Sequence, residues 1–169
     1  MLSVVGASVV GVSMAHSVIP SPIGPLTAVR EDDVLVGLWM GPADVEDLGP
    51  RDDEAFTDVR AQLDEYFDGT RTSFDLAMRA SGNPLQLAVW KLIAAIPYGV
   101  TRSYGDLARD LGDPSLAQAV GTACGRNPLP VVVPCHRVVG ADGSLVGFGG
   151  GLHRKRFLLD LEHRDERLF

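Results

Sequence analysis

At 169 residues the chain is long enough for one ordinary domain, or two small ones sharing a core. Its hydrophobic content of 46% fits a soluble globular protein, while two cysteines, Cys124 and Cys135, exclude a disulfide framework or a Cys-rich metal site. The formal net charge of −7 disfavours a polyanionic partner for the chain as a whole, but residues 1–83 carry 5 basic and 14 acidic side chains against 10 and 8 in residues 84–169, so the second half remains open to an anion.

Residues 1–19 are apolar and rich in small residues but hold no Lys or Arg. They lack the basic start of a secretory signal and the roughly 20 apolar residues of a membrane helix, and they read as a disordered or strand-forming extension, with residues 1–15 expected to be flexible. Ser21-Pro22-Ile23-Gly24-Pro25 predicts a turn. Strand-like runs at 26–29 and 34–40 predict a small antiparallel sheet. An acidic loop follows over residues 41–54. Phe56, Val59, Leu63, Tyr66 and Phe67 then recur at helical spacing, and Gly69 stops the helix. Residues 73–78 return to a short strand. Residues 16–80 thus read as an α+β scaffold domain without a cluster of chemistry-bearing side chains.

Residues 80–84 are a polar Gly/Pro break, after which the pattern turns helical. Leu85, Val89, Trp90, Leu92, Ile93 and Ile96 mark an amphipathic helix that Pro97-Tyr98-Gly99 ends. Residues 104–111 form a second short helix, with Ser103 as N-cap and Gly112 as stop. Asp113-Pro114 turns into a third helix over 115–124, and the pair is a helix-turn-helix candidate. Ala117, Ala119, Gly121, Ala123 and Gly125 give the third helix a small face. That face either packs tightly on a neighbour or lodges in a groove. Gln118, Thr122 and Arg126 are few polar groups for reading major-groove edges, so a minor-groove seat held by backbone and phosphate contacts fits better.

Arg126-Asn127-Pro128 leads to Pro130-Val131-Val132-Val133, a short β-branched run that predicts a buried strand. The run delivers Pro134-Cys135-His136-Arg137-Val138. A thiol is a weak nucleophile until deprotonated, and an adjacent base is one way to achieve that. Alone, the Cys-His pair reads either as a positioned nucleophile or as a buried core cysteine beside a histidine. Beyond a turn at Gly140-Ala141-Asp142-Gly143 comes Gly147-Phe148-Gly149-Gly150-Gly151. So many glycines imply close backbone approach to something, and Phe148 can stack on a planar ligand. A last helix is predicted over 152–163. The four histidines show no metal-ligand spacing, so no metal and no cofactor are expected.

Taken together, Ile96-Pro97-Tyr98-Gly99, Ser103-Tyr104-Gly105, Ala119-Val120-Gly121, Asn127-Pro128, Pro134-Cys135-His136-Arg137-Val138, Gly147-Phe148-Gly149-Gly150 and Lys155…Leu158-Leu159…Glu162 resemble the O6-alkylguanine-DNA alkyltransferases. These motifs span residues 84–162, and the 21–26 turn and first helix are similar to the family's N-terminal domain. The resemblance implies an α+β fold: a small ribonuclease H-like sheet domain, then an all-helical, winged helix-turn-helix-like domain over 84–169 carrying DNA binding and the active site. It implies repair, in which an alkyl group moves irreversibly from O6 of guanine, or O4 of thymine, to Cys135, once per molecule, after the base is flipped out of the duplex. His136 would draw off the thiol proton through a water, and Glu162 would orient and charge-stabilise His136. Tyr104 and the backbone N–H of Gly149 would donate to the leaving O6. Asn127 would tie the helix-turn-helix to the active-site turn, and Arg137 would be a structural ion-pair residue. Pro134, Val138, Phe148 and Gly149 would bind the base, and Ser103, Gln118, Ala119, Gly121, Thr122 and Arg126 would face DNA. The implied partner is double-stranded DNA through its minor groove, with single-stranded DNA as a further candidate. A monomer in a reducing cytoplasm, with no membrane, fits the free thiols.

Two departures stand out. Gln118 replaces the family's arginine that fills the space left by the flipped base, and Phe148 replaces its usual tyrosine. Some members bind zinc through N-terminal cysteines; the first half here has none, so zinc is not expected. The competing readings are a recognition module that flips the base without transfer, to which Gln118 gives some support, and a thiol hydrolase of small molecules. Retention of Cys135 counts against the first, and the lack of a visible oxyanion hole against the second.

Overall fold

The computed structural model of the chain describes residues 13–41, 48–145, 148 and 150–164. Gly147, Gly149 and residues 1–12 of the extension lie outside the described residues, as do residues 42–47 of the acidic loop. The α+β class holds: a small antiparallel sheet with one long helix comes first, then a mainly helical half.

Strands β1 (Met14–Ile19), β2 (Leu26–Glu31) and β3 (Val34–Met40) pair antiparallel in the order β1-β2-β3. Met14 and Ala15 pair with Glu31 and Arg30, so the last two residues assigned to a flexible extension belong to the sheet. The Ser21–Pro25 turn closes on itself through Gly24 N–H to Ser21 O, 3.0 Å, with Gly24 at φ +99. Between β2 and β3 the tight turn puts Asp32 at φ 52, a region aspartate tolerates better than most residues. Helix α1 (Thr57–Asp68) ends on Gly69 at φ 88, whose N–H reaches back to the last-turn carbonyls. Its Val59, Leu63 and Tyr66 join Ile19, Leu26, Leu35 and Leu38 of the sheet in one core. Removing each such side chain from water contributes about 1.5–3 kcal/mol.

Residues 73–78, expected as a strand, form none. They make one bridge, Met78 to Leu35. The Asp75 backbone is met by a side chain, Gln62, which donates to Asp75 O at 2.9 Å and accepts from Asp75 N–H at 2.8 Å, while Ala77 O accepts from Leu35 N–H at 2.9 Å and Ser73 O from Arg71 at 3.0 Å.

The second half opens with α2 (Pro84–Ala94), started by a capping box in which Asn83 and Gln86 satisfy each other's backbone. Helices α3 (Tyr104–Asp110) and α4 (Ala117–Gly125) make the helix-turn-helix pair, and α5 (Leu152–Glu162) closes the fold. Helix α4 starts later than expected because Asp113 caps a separate 3-10 turn at Pro114–Leu116. The half is not wholly helical, since β4 (Arg102–Ser103) and β5 (Val138–Val139) pair in parallel. Trp90 fastens α2 to α4 through Nε1–H to Ala123 O, 2.9 Å.

The largest departure from expectation is at 130–133. The run is buried, as its composition requires, but it is a compact turn rather than a strand. Val133 N–H donates to Leu129 O at 2.8 Å, and Cys135 N–H to Val133 O at 2.8 Å. Val131 sits at φ +73, a strained value for a β-branched residue that its burial holds in place. The two halves meet beside this turn, where Leu38 N–H of β3 donates to Pro128 O at 2.8 Å, and again where Arg154 of α5 donates to Ile23 O at 2.8 Å. Among the described residues no helix is long and apolar enough to cross a membrane.

Candidate active site

The Cys-His turn is a short 3-10 helix, Cys135–Arg137, running straight into β5. Asn127 fixes its approach. Its Nδ2 donates to Val133 O at 2.8 Å, and its Oδ1 accepts from Leu129 N–H at 2.9 Å. One side chain at the end of the helix-turn-helix therefore sets the shape of the turn before the thiol. Lys155, fully buried on α5, holds the far side through Nζ to Val138 O, 2.6 Å.

Behind the turn, Glu162 on the last turn of α5 gathers donors from three side chains. His136 Nε2 lies 2.6 Å from Oε2. Arg137 Nε donates to Oε1 at 2.8 Å and Nη2 to Oε2 at 3.1 Å, while Nη1 reaches Ile96 O at 2.6 Å. Tyr66 of α1 donates its hydroxyl to Oε2 at 2.5 Å. An ionised carboxylate only accepts, so His136 carries its proton on Nε2 and presents a lone pair at Nδ1. That Nδ1 is buried and has no hydrogen-bond partner among the described residues.

The electrostatics match this tautomer. Burial lowers the His136 pKa and outweighs the pull of Glu162, so the imidazole is neutral near pH 7. Burial alone would raise Glu162, but the His136 hydrogen bond and the Arg137 guanidinium hold it at about 2. Burial pushes the Cys135 thiol up, opposed by an Asn127 hydrogen bond and the Lys155 charge. Cys135 is therefore a thiol at rest and needs a base. Tyr104 is pushed up to about 12, by burial first and then by the two cysteines, so it remains a donor.

Cys135 opens onto a cavity of about 160 Å³. Asn127, Pro130 and Phe148 line it from the second half, and Cys124 and Gly125 from the end of α4. Its remaining wall, Leu38, Trp39 and Met40, comes from β3. Pro134, Val138 and Tyr104 stand outside the lining. Pro134 and Val138 brace the turn, and Tyr104 opens α3 half-buried, its ring 5.7 Å from the Lys155 ammonium.

The residues assigned to DNA divide by exposure. Gln118, Thr122 and Arg126 are exposed and follow at intervals of four along α4 and its end, so they share one solvent face. The Thr122 hydroxyl donates to Gln118 O, one turn back on the same exposed face, at 3.2 Å. Ala119 and Gly121 are half-buried, and a Cβ at Gly121 would lie 3.8 Å from the Tyr104 ring. Ser103 caps α3 in a capping box with Asp106.

Sequence reasoning missed the contribution of the first half. Tyr66 reads there as one more core aromatic, and Trp39 and Met40 as strand residues. The one usable signal was the large apolar Trp39 near the end of the strand, which the fold leaves 39% exposed as part of the cavity lining. Nothing local in the sequence marks Tyr66 as a partner of Glu162.

Family models cover both halves. The ribonuclease-like domain of 6-O-methylguanine DNA methyltransferase matches residues 14–80, and the DNA binding domain of the same family matches residues 84–164. A methylated-DNA–protein-cysteine methyltransferase of Mycobacterium tuberculosis is 47% identical over 150 residues, 87% of this chain and 91% of that protein. One from Methanosarcina acetivorans is 40% identical over 153 residues, 88% of this chain and 98% of that protein. The crystal structure of Mycobacterium tuberculosis OGT in complex with DNA superposes with a TM-score of 0.85 at 46% identity, covering 89% of this chain and 93% of that one. With family models matching both halves and relatives 40–47% identical over most of both chains, the chain belongs to the methylated-DNA–protein-cysteine methyltransferases.

Proposed function

We propose that this chain repairs DNA by taking an alkyl group from O6 of guanine, and from O4 of thymine, onto Sγ of Cys135. The observation that carries this reading is a buried, neutral imidazole beside a cavity-lining thiol, its Nε2–H tied to Glu162 and its Nδ1 left as the basic atom. The thiol proton passes to Nδ1 through a water. The Sγ–C bond forms as the C–O6 bond breaks, and the departing guanine takes a proton to replace the alkyl group it lost. Tyr104 and the Gly149 backbone donate to O6 as charge develops there. A thioether offers no route back to the thiol, so each molecule acts once. With substrate in excess, the transferred alkyl should level off at one equivalent per protein; continued turnover would refute this.

A base stacked in the duplex keeps its O6 out of reach of a thiol, so the reading requires base flipping into the Cys135 cavity. Helix α4 supplies the DNA contact from the minor groove, with Gln118, Thr122 and Arg126 outward and the small residues allowing close approach. The protein acts as a monomer and accepts single-stranded as well as duplex DNA. Gln118 fills the space left by the base but lacks a charge, and a charged donor makes a hydrogen bond roughly twice as strong as a neutral one. Gln118→Arg should therefore speed transfer from duplex DNA by about tenfold and leave the single-stranded rate nearly unchanged. Single-turnover rates on the two substrates check this; equal duplex rates would contradict it.

A further inference from the structure

We propose that Tyr66 is a positioning residue for the transfer. Donated from the first half of the chain, its hydroxyl shares Glu162 Oε2 with His136 and so sets the pH at which His136 can accept the thiol proton. The proposal rests on the reading of Cys135 as alkyl acceptor and adds a regulator of its base.

The geometry is specific. Tyr66 is fully buried, its hydroxyl lies 2.5 Å from Oε2, and His136 Nε2 lies 2.6 Å from the same oxygen. Burial, then the Glu162 charge, raise the phenol well above its ordinary pKa, so it can only donate. Its ring is held in an aromatic cluster, with Phe67 at 5.3 Å, Phe74 at 5.4 Å and Tyr98 at 6.3 Å between centroids. The hydroxyl is thereby aimed by packing.

The other charged and titratable groups around this centre come from the second half. Arg137 binds both oxygens of Glu162 and lies over the Tyr98 ring, Gly99 N–H stands 3.5 Å from Oε1, and Lys155 acts on His136 from α5. Cys135 is the chain neighbour of His136. Tyr66 alone is contributed by α1. A donor on Oε2 spreads the carboxylate's charge and weakens its hold on a protonated imidazole. Without that donor, Glu162 stabilises the imidazolium more, His136 stays protonated to higher pH, and the base is lost sooner on acidification.

The experiment is the pH dependence of the single-turnover transfer rate in wild type and Tyr66→Phe, with unfolding midpoints measured alongside. The acidic limb of Tyr66→Phe should move to higher pH by about one unit. Site-specific 3-fluorotyrosine at position 66 keeps the shape and strengthens the donor, and should move the limb the opposite way. It decides the matter alone if Tyr66→Phe does not fold. Limbs that coincide in folded proteins overturn the proposal, whatever the change in midpoint, even where Cys135 is fully alkylated. An adduct absent from Cys135 in wild type overturns both this proposal and the reading beneath it.

Discussion

Glu162→Gln is expected to lower stability by about 3–5 kcal/mol and to slow alkyl transfer by about a hundredfold or more. The carboxylate is the counter-charge of the buried Arg137 guanidinium, at 2.8 Å, and the acceptor for both His136 and Tyr66. An amide offers one oxygen and two unwanted donors, so a cation is left buried without its partner. Denaturant unfolding and single-turnover rates measure the two effects. The sign of the pH dependence follows from the depressed pKa of about 2. Glu162 is ionised more readily folded than unfolded, where a glutamate titrates near 4.3. Its contribution is present in full above the unfolded value and is lost as pH falls towards about 2. Wild type and Glu162→Gln should therefore converge in stability on acidification; a gap that stays constant to pH 2 would contradict the assignment.

His136→Gln separates the base from its packing. The amide can still donate to Glu162 but has no basic nitrogen. Transfer should fall by about 10²–10⁴ with the fold retained. In wild type the rate should drop as pH falls through the His136 pKa, which burial places below 6.5. The variant should lose that limb and instead speed up towards alkaline pH, as the raised Cys135 thiol ionises without help. A rate within a few-fold of wild type would show that the imidazole is not the base. Folded-state stability carries the same sign. A histidine kept neutral by burial contributes only above its unfolded pKa of about 6.5, and that contribution is lost as pH falls below it.

Periodicity and punctuation make the second half legible from sequence. Ser103 and Gly112 bracket α3 as expected, Asn83-Pro84 opens α2 at the end of the expected 80–84 break, and Gly69 ends α1 at a left-handed cap. The run at 130–133 misleads because β-branching reports burial and stiffness but not hydrogen-bond partners. Among the described residues no strand pairs with it, and Asn127 and the Leu129 carbonyl take the Val133 backbone groups instead. The site itself is half legible. Cys135, His136, Glu162 and Asn127 stand in motifs and are brought together. Tyr66 and Glu162 meet across 96 residues of chain, through a hydroxyl that helical spacing treats as core. The β3 wall of the cavity is hidden for the same reason, since an alternating pattern says which face is buried but not what it faces.

The central claim is tested most directly by intact-mass and peptide-mapping measurement after incubation with an oligonucleotide containing O6-methylguanine, using Cys135→Ser as the control. The account predicts a gain of one methyl group per molecule, located on Cys135, and no gain in the control. An unmodified Cys135, or a methyl group on Cys124 across the same cavity, would contradict it.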